Sequence, residues 1–120
     1  SRMNDAEIAW LAGFLEGEGT FYMKRQPNKN YALPMIKVGG TDRDVIRKAA
    51  DLLGTATLQF ERRRKDHWKD QWKVHAYGGK AVEIMQQILP WMGERRAAKI
   101  QEVIAEWESR PVVRQRSVPQ

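Results

Sequence analysis

The 120-residue chain carries 21 Lys and Arg against 15 Asp and Glu, a formal charge of +6, with 42% hydrophobic and 30% charged residues. That length fits one domain with one core, and the apolar fraction is too high for a disordered chain. The absence of cysteine excludes disulfide scaffolds, Cys-based zinc sites and thiol catalysis. No apolar stretch approaches membrane-spanning length and the first residues lack the pattern of a secretory leader, so an intracellular protein with no membrane partner is expected. The basic excess favours a polyanion, nucleic acid first; a soluble protein that is merely basic is the alternative.

Asn4-Asp5-Ala6-Glu7 has the form of a capping box and predicts a helix start. The following eight residues, from Ile8 to Leu15, carry no charge, which predicts a helix covered on most sides. Ile8, Leu11, Ala12 and Leu15 make one stripe; Trp10, Gly13, Phe14 and Gly17 make a second. Each mid-helix glycine costs roughly 1 kcal/mol relative to alanine. Close approach of another helix would offset that cost, and Trp10, Gly13, Phe14 and Gly17 are the expected dimer interface; for Gly17, ending the helix is the alternative role.

After Gly19 the period becomes two. Thr20, Tyr22, Lys24 and Gln26 alternate with Phe21, Met23 and Arg25. Pro27-Asn28-Lys29-Asn30 predicts a turn, and Leu33 to Val38 a returning strand with Lys37 outward. Thr41-Asp42-Arg43-Asp44 is a second capping-box pattern, opening a helix that Gly54 should stop. Thr55 to about Arg62 predicts a third strand, followed by a charged hairpin tip containing Arg63, Arg64, His67 and Trp68. Gln71 to Tyr77 predicts a fourth strand, ended by Gly78-Gly79. Ala81, Ile84, Met85, Ile88 and Leu89 predict a helix stopped at Pro90, and Ala97, Ile100, Val103, Ile104 and Trp107 a last one.

This order predicts an α+β fold, helix–hairpin–helix–hairpin–helix–helix, with an antiparallel four-stranded, saddle-like sheet covered by helices on one face. The domain should span 1–109, with 110–120 a flexible basic tail. The uncovered face, through Tyr22, Lys24, Gln26, Lys37, Gln59, Arg63, Lys73 and His75, is polar and mostly basic. Such a face can lie on a phosphate backbone and reach base edges; an ordinary solvated sheet face is the plainer reading. Lys29 and Arg64, in the two hairpin loops, join the expected DNA contacts.

Glu16 and Glu18 stand at the C-terminal end of the first helix, where carboxylates are normally disfavoured. Carboxylates beside the last-turn carbonyls suit a hard cation such as Mg²⁺; two exposed glutamates at a helix end are the alternative. Phosphodiester hydrolysis commonly wants metal on both the attacking and the leaving oxygen. Two chains crossing at Gly13 and Gly17 would bring both copies of Glu18 together.

Leu11-Ala12-Gly13-Phe14-Leu15-Glu16-Gly17-Glu18-Gly19 resembles the motif of the LAGLIDADG homing endonucleases. Leu-Ala-Gly opens it, an acid stands at the eighth position and Gly closes it. Thr20-Phe21, the run from Thr41 to Val45 and the run from Leu89 to Arg96 continue the likeness, over about residues 6 to 107. The resemblance implies a homing endonuclease-like fold and a homodimer acting on near-palindromic double-stranded DNA. It implies metal binding by Glu18 with the Gly17 carbonyl, using Mg²⁺, with Mn²⁺ or Ca²⁺ able to substitute for binding. It places the sheets in major grooves and the protein in the cytoplasm or nucleoid of a microbial or phage-infected host, or in an organelle. Two positions depart from the pattern: Gly40 stands where a Gln or basic residue is frequent, and Arg95 with Arg96 where a Lys is usual. Arg95 or Lys99 is then expected to steady the scissile phosphate, although arginine is a poor proton donor. A protein of this fold that binds DNA or RNA without cutting, a regulator or splicing helper, is the alternative function.

Overall fold

In the computed structural model, which describes residues 2–55, 57–62, 65 and 69–111, helix α1 (Asp5–Glu18) begins where the sequence predicts. Asn4 Oδ1 accepts from the Glu7 amide at 2.8 Å, and Glu7 Oε1 accepts from the Asn4 amide at 2.9 Å. Two of the orphan donors of the first turn are thereby satisfied. Leu11, Ala12 and Leu15 are buried on one side of the helix. Strands β1 (Thr20–Arg25) and β2 (Ala32–Gly40) follow as an antiparallel hairpin. Its loop turns through Asn28, whose φ of 64° is left-handed and is tolerated by asparagine better than by most residues.

Helix α2 (Arg43–Leu53) ends at Gly54 with φ 76°, whose amide donates to the carbonyls of Ala50 and Asp51. This is the left-handed stop that glycine permits. Asp42 stands at its N-cap, but its side chain makes no capping hydrogen bond. The second capping-box pattern is therefore present in sequence and unused in structure.

Strand β3 is shorter than predicted, Gln59–Glu61, and pairs with β4 (Gln71–Tyr77). Leu58 lies outside the strand and packs on the core. The sheet order is β1-β2-β4-β3, all antiparallel. Gly78 and Gly79 do more than end β4. They open α3 (Gly78–Ile88) with no linker, and Gly78 makes the corner at φ 70°. A 3₁₀ turn, Leu89–Trp91, carries Pro90 and leads to α4 (Glu94–Glu108).

The α+β prediction and its four-stranded antiparallel sheet hold. One sheet face, through Phe21, Ile36, Val38, Val74 and Ala76, meets Leu11, Leu15, Ile46, Leu53, Met85, Ile88, Ile100 and Val103 in a single core. Each large aliphatic side chain fully withdrawn from water contributes about 1.5–3 kcal/mol. No polar or charged residue among those described is buried. The tip residues Arg63, Arg64, His67 and Trp68 and the tail from 112 to 120 lie outside the described residues. No helix among the described residues is long and apolar enough to cross a membrane.

Candidate functional site

The C-terminal end of α1 and the N-terminal end of α4 exchange charges. Glu16 reaches across to α4, where its Oε1 accepts from the Gly93 amide. Gly93 is the N-cap of α4, so this carboxylate sits on the partial positive charge of that helix end. A Cβ at position 93 would lie 3.0 Å from Glu16 Oε1, and the approach is therefore open to glycine. In return, Arg96 of α4 donates through Nε to the Glu16 carbonyl at 3.2 Å and through a terminal nitrogen to the Gly19 carbonyl. Its Nε is also 3.7 Å from Glu16 Oε2. The Arg96 side chain is 17% exposed. It satisfies carbonyls that the end of α1 would otherwise leave bare and opposes the negative end of that dipole.

This exchange divides the two candidate carboxylates. Glu16 is committed to Gly93 and Arg96 and is not a free metal ligand. Gly17 and Glu18 are exposed, and Glu18 makes no hydrogen bond or ion pair with any described residue. Neither of the two basic residues expected to steady a phosphate forms an ion pair with it. Arg95 is exposed, and Lys99 lies 3.6 Å from Glu102, three residues along the same helix. Arg96, which stands with Arg95 where the resemblance places a Lys, instead makes contacts that run through backbone oxygens some 80 positions away, which no local pattern signals. No cluster of three or more His, Asp or Glu among the described residues could hold a metal ion.

The expected covering of α1 on two sides is not met within one chain. Gly13 and Gly17 are exposed, and no described residue lies within 4 Å of a Cβ built at either. Trp10 and Phe14, expected on the same stripe, stack on each other at 5.3 Å and pack partly against the core. Lys48 Nζ lies 4.4 Å over the Trp10 ring. Trp91, in the 3₁₀ turn, is 54% exposed.

Strand register fixes the uncovered sheet face. Thr20, Lys37 and His75 form one cross-strand row; Gly39, Lys73 and Gln59 form another; Tyr22 and Lys24 share the face on β1. Gln26 lies just beyond β1 and closes the hairpin loop by donating to the Tyr31 carbonyl at 3.4 Å, while Lys29 is exposed in that loop. The structure thus places Tyr22, Lys24, Lys37, Gln59, Lys73 and His75 together, with Gln26 and Lys29 at the margin. The alternation also put Glu61 on this face, where it pairs with Lys73 and lowers the net charge; sequence reasoning passed over it.

Partial burial, followed by the charges of Lys37, Lys24 and Lys73, lowers the His75 pKa below its ordinary value near 6.5. The unfolded chain then protonates this histidine at higher pH than the folded one does. Its contribution to stability is complete above about pH 6.5 and is lost as pH falls through and below that value. Urea midpoints at about pH 7.5 and about pH 5.5 should therefore differ more in the natural chain than in His75→Gln. For the clamp, Arg96→Ala should lower stability by about 2 kcal/mol in urea unfolding. Arg96→Lys should recover only part of it, since an ammonium cannot span the same carbonyls with a planar fork.

No family model matches the sequence, and no curated protein matches it. Solved structures do. The homing endonuclease I-CvuI, in complex with its target in the presence of calcium, superposes with a TM-score of 0.63 at 18% identity over 83% of this chain and 64% of its own. The group I intron-encoded I-CeuI, complexed with DNA, gives 0.63 at 16% identity over 90% of this chain and 56% of its own. The archaeal I-Vdi141I, also complexed with DNA, gives 0.58 at 17% identity over 82% and 66%. The chain spans under two thirds of the length of I-CvuI and I-CeuI. Element order, sheet topology and these superpositions agree: this chain has the fold of the LAGLIDADG homing endonucleases.

Proposed function

We propose that the chain is a homodimeric, divalent-metal-dependent endonuclease for near-palindromic double-stranded DNA, an intracellular enzyme. The observation that carries this reading is the pairing of an exposed, unengaged Glu18 with an open glycine face on the same helix. Neither feature has a purpose inside one chain. A second copy laid along Gly13 and Gly17 gives both one: it covers the bare helix and brings a second Glu18 to the same axis. The similar structures of I-CvuI and I-CeuI are complexes with a target and with DNA, which supports a duplex as the ligand of the basic sheet face.

The donor chemistry fits a hard cation as half of a site. One carboxylate, with the Gly17 carbonyl beside it, is too few oxygens for Mg²⁺ or Ca²⁺ alone; two copies with phosphate oxygens and water reach the required number. When bound, such an ion would polarise the scissile phosphate and lower the pKa of a water nucleophile. The chain's own residues do the remaining work. Glu18 holds charge at the axis, and the Glu16–Gly93 and Arg96 contacts fix the helix end that carries it. Lys24, Lys37 and Lys73 attract the duplex, with His75, Tyr22 and Gln59 among them. Arg95 and Lys99 are the remaining cations of α4 that can turn toward a bound phosphate.

The pairing of Lys99 with Glu102 rather than with Glu18 favours one second reading, a protein of the same fold that binds DNA and does not cut it. A supercoiled plasmid library incubated with Mg²⁺ or with EDTA separates the two, since only a nuclease yields metal-dependent linear product. Glu18→Gln should reduce cleavage of a selected site by at least about 100-fold. Duplex binding, read as affinity falling with added salt, should survive that change.

The dimer has its own test. Gly13→Leu fills space that is empty in the chain, and leucine is the better helix former by roughly 1 kcal/mol. Sedimentation should report monomers whose circular dichroism is that of the natural chain. An unchanged dimer mass would remove this interface.

A further inference from the structure

The uncovered sheet face is basic at its margins and apolar at one place. Tyr22 on β1 lies opposite Met35 on β2, and Met35 lies opposite Tyr77 on β4. Leu33 is two residues along β2 on the same face. Met35 is only 6% exposed although it points away from the core. Its cover comes from its neighbours on that face, so Met35 forms the floor of the patch and the two tyrosines its walls. Tyr77 is 63% exposed. Charged rows flank the patch on both sides: Lys24 lies across from Leu33 on one, and Lys37 with His75 on the other.

An apolar row between cations calls for a ligand that is anionic at its edges and apolar at its centre. The major groove of DNA answers that description. Phosphates run along both rims, and the one apolar group on the base edges is the C5 methyl of thymine. RNA lacks that methyl, and its deep, narrow major groove does not admit side chains. Three strands at about 4.8 Å spacing make a row roughly 10 Å wide, about three base-pair steps.

We infer that Tyr22, Met35 and Tyr77 read a thymine methyl, so that each half-site carries T·A at the base pair facing this row. The inference rests on the sheet being the DNA-binding face, and it deepens that reading by naming what one part of the face recognises.

The experiment uses the full chain and duplexes selected by binding from a randomised library. Thymine should be enriched at one symmetric position in each half-site. Selected duplexes are then resynthesised with deoxyuridine at that position, which removes the methyl and nothing else. Affinity should fall about fourfold per half-site, the value of one buried methyl. Tyr77→Ser changes an exposed side chain, so the fold is not at stake; it should bind the thymine and uracil duplexes alike. Lys37→Ala should weaken both duplexes equally and leave their ratio intact. Equal binding of thymine and uracil duplexes by the natural chain, or selection with no thymine preference, would overturn the methyl reading while leaving the DNA-binding face in place. Failure to bind any duplex in a salt-dependent way would overturn the DNA-binding face itself, and the methyl reading with it.

Discussion

Two helix ends of opposite polarity meet in this fold, and each supplies the side chain the other lacks. The C-terminal end of α1 is electronegative and receives Arg96 from α4; the N-terminal end of α4 is electropositive and receives Glu16 from α1. The exchange joins positions some 80 residues apart and locks the last turn of α1 against the 3₁₀ turn and α4. It also settles which acid is structural. Hydrogen bonds to charged partners are each worth about 1.5–3 kcal/mol net, enough to hold Glu16 where it is. Glu18, two positions on and about 200° around the helix from Glu16 at 100° per residue, is left to the solvent. A structural glutamate and a chemically available one therefore stand two residues apart, distinguished only by what α4 offers to the first.

The other side of α1 is an unsatisfied surface of a different kind. Gly13 and Gly17 weaken the helix by roughly 1 kcal/mol each relative to alanine, and none of the described residues takes up the space they leave. Leu11, Ala12 and Leu15 on the opposite side anchor α1 to the core, with Ile8, Trp10 and Phe14 packed partly against it. The helix is thus firmly seated and half bare. A seated helix with a bare glycine face can present a second copy with a rigid surface instead of one that must order on contact, which keeps the entropy loss of association small.

Much of this architecture was legible in the sequence because its causes are local. The Asn4–Glu7 box, the alternation of β1 and β4, the Gly54 stop and the apolar spacing of α4 are each written in neighbouring residues. What was misread depends on distant ones. The Thr41–Asp44 pattern predicts a box capped by Thr41, yet the N-cap falls one residue later on Asp42, whose side chain makes no cap and which has Val45, not an acid, three positions on. Strand β3 pairs only from Gln59 to Glu61, and Leu58 packs against the core instead of extending the pairing along β4, which runs on to Tyr77. Glu16, Gly93 and Arg96 carried no signal, since an ionic contact across 80 residues leaves no period. On the sheet, Met35 and Tyr77 were set on the wet face by the same alternation that set Lys37 and His75 there. Their meaning lies in the register, where Tyr22, Met35 and Tyr77 become one row.

The link between recognition and chemistry is a single residue long. Gly19 alone separates the last residue of α1, Glu18, from the first residue of β1, Thr20. Its amide donates to the Leu15 carbonyl at 2.9 Å, its carbonyl accepts from Arg96, and a Cβ there would lie 2.8 Å from the Leu15 carbonyl oxygen. Only glycine allows the chain to pass so close to the helix end and leave at once as a strand. From Glu18 to Tyr22 is four residues, at most about 14 Å of extended chain, and buried Gly19 and Phe21 anchor the span between them. In the proposed enzyme, a base pair recognised by the tyrosine row would therefore sit at a set distance from the carboxylate. No loop intervenes to absorb an error in register. Such stiffness favours a nuclease that cuts at a fixed offset from what it reads, because geometry at the reacting phosphate must be held to a fraction of an ångström. A protein that only bound its site would have no need of so short a connection between an unpaired acid and a reading face.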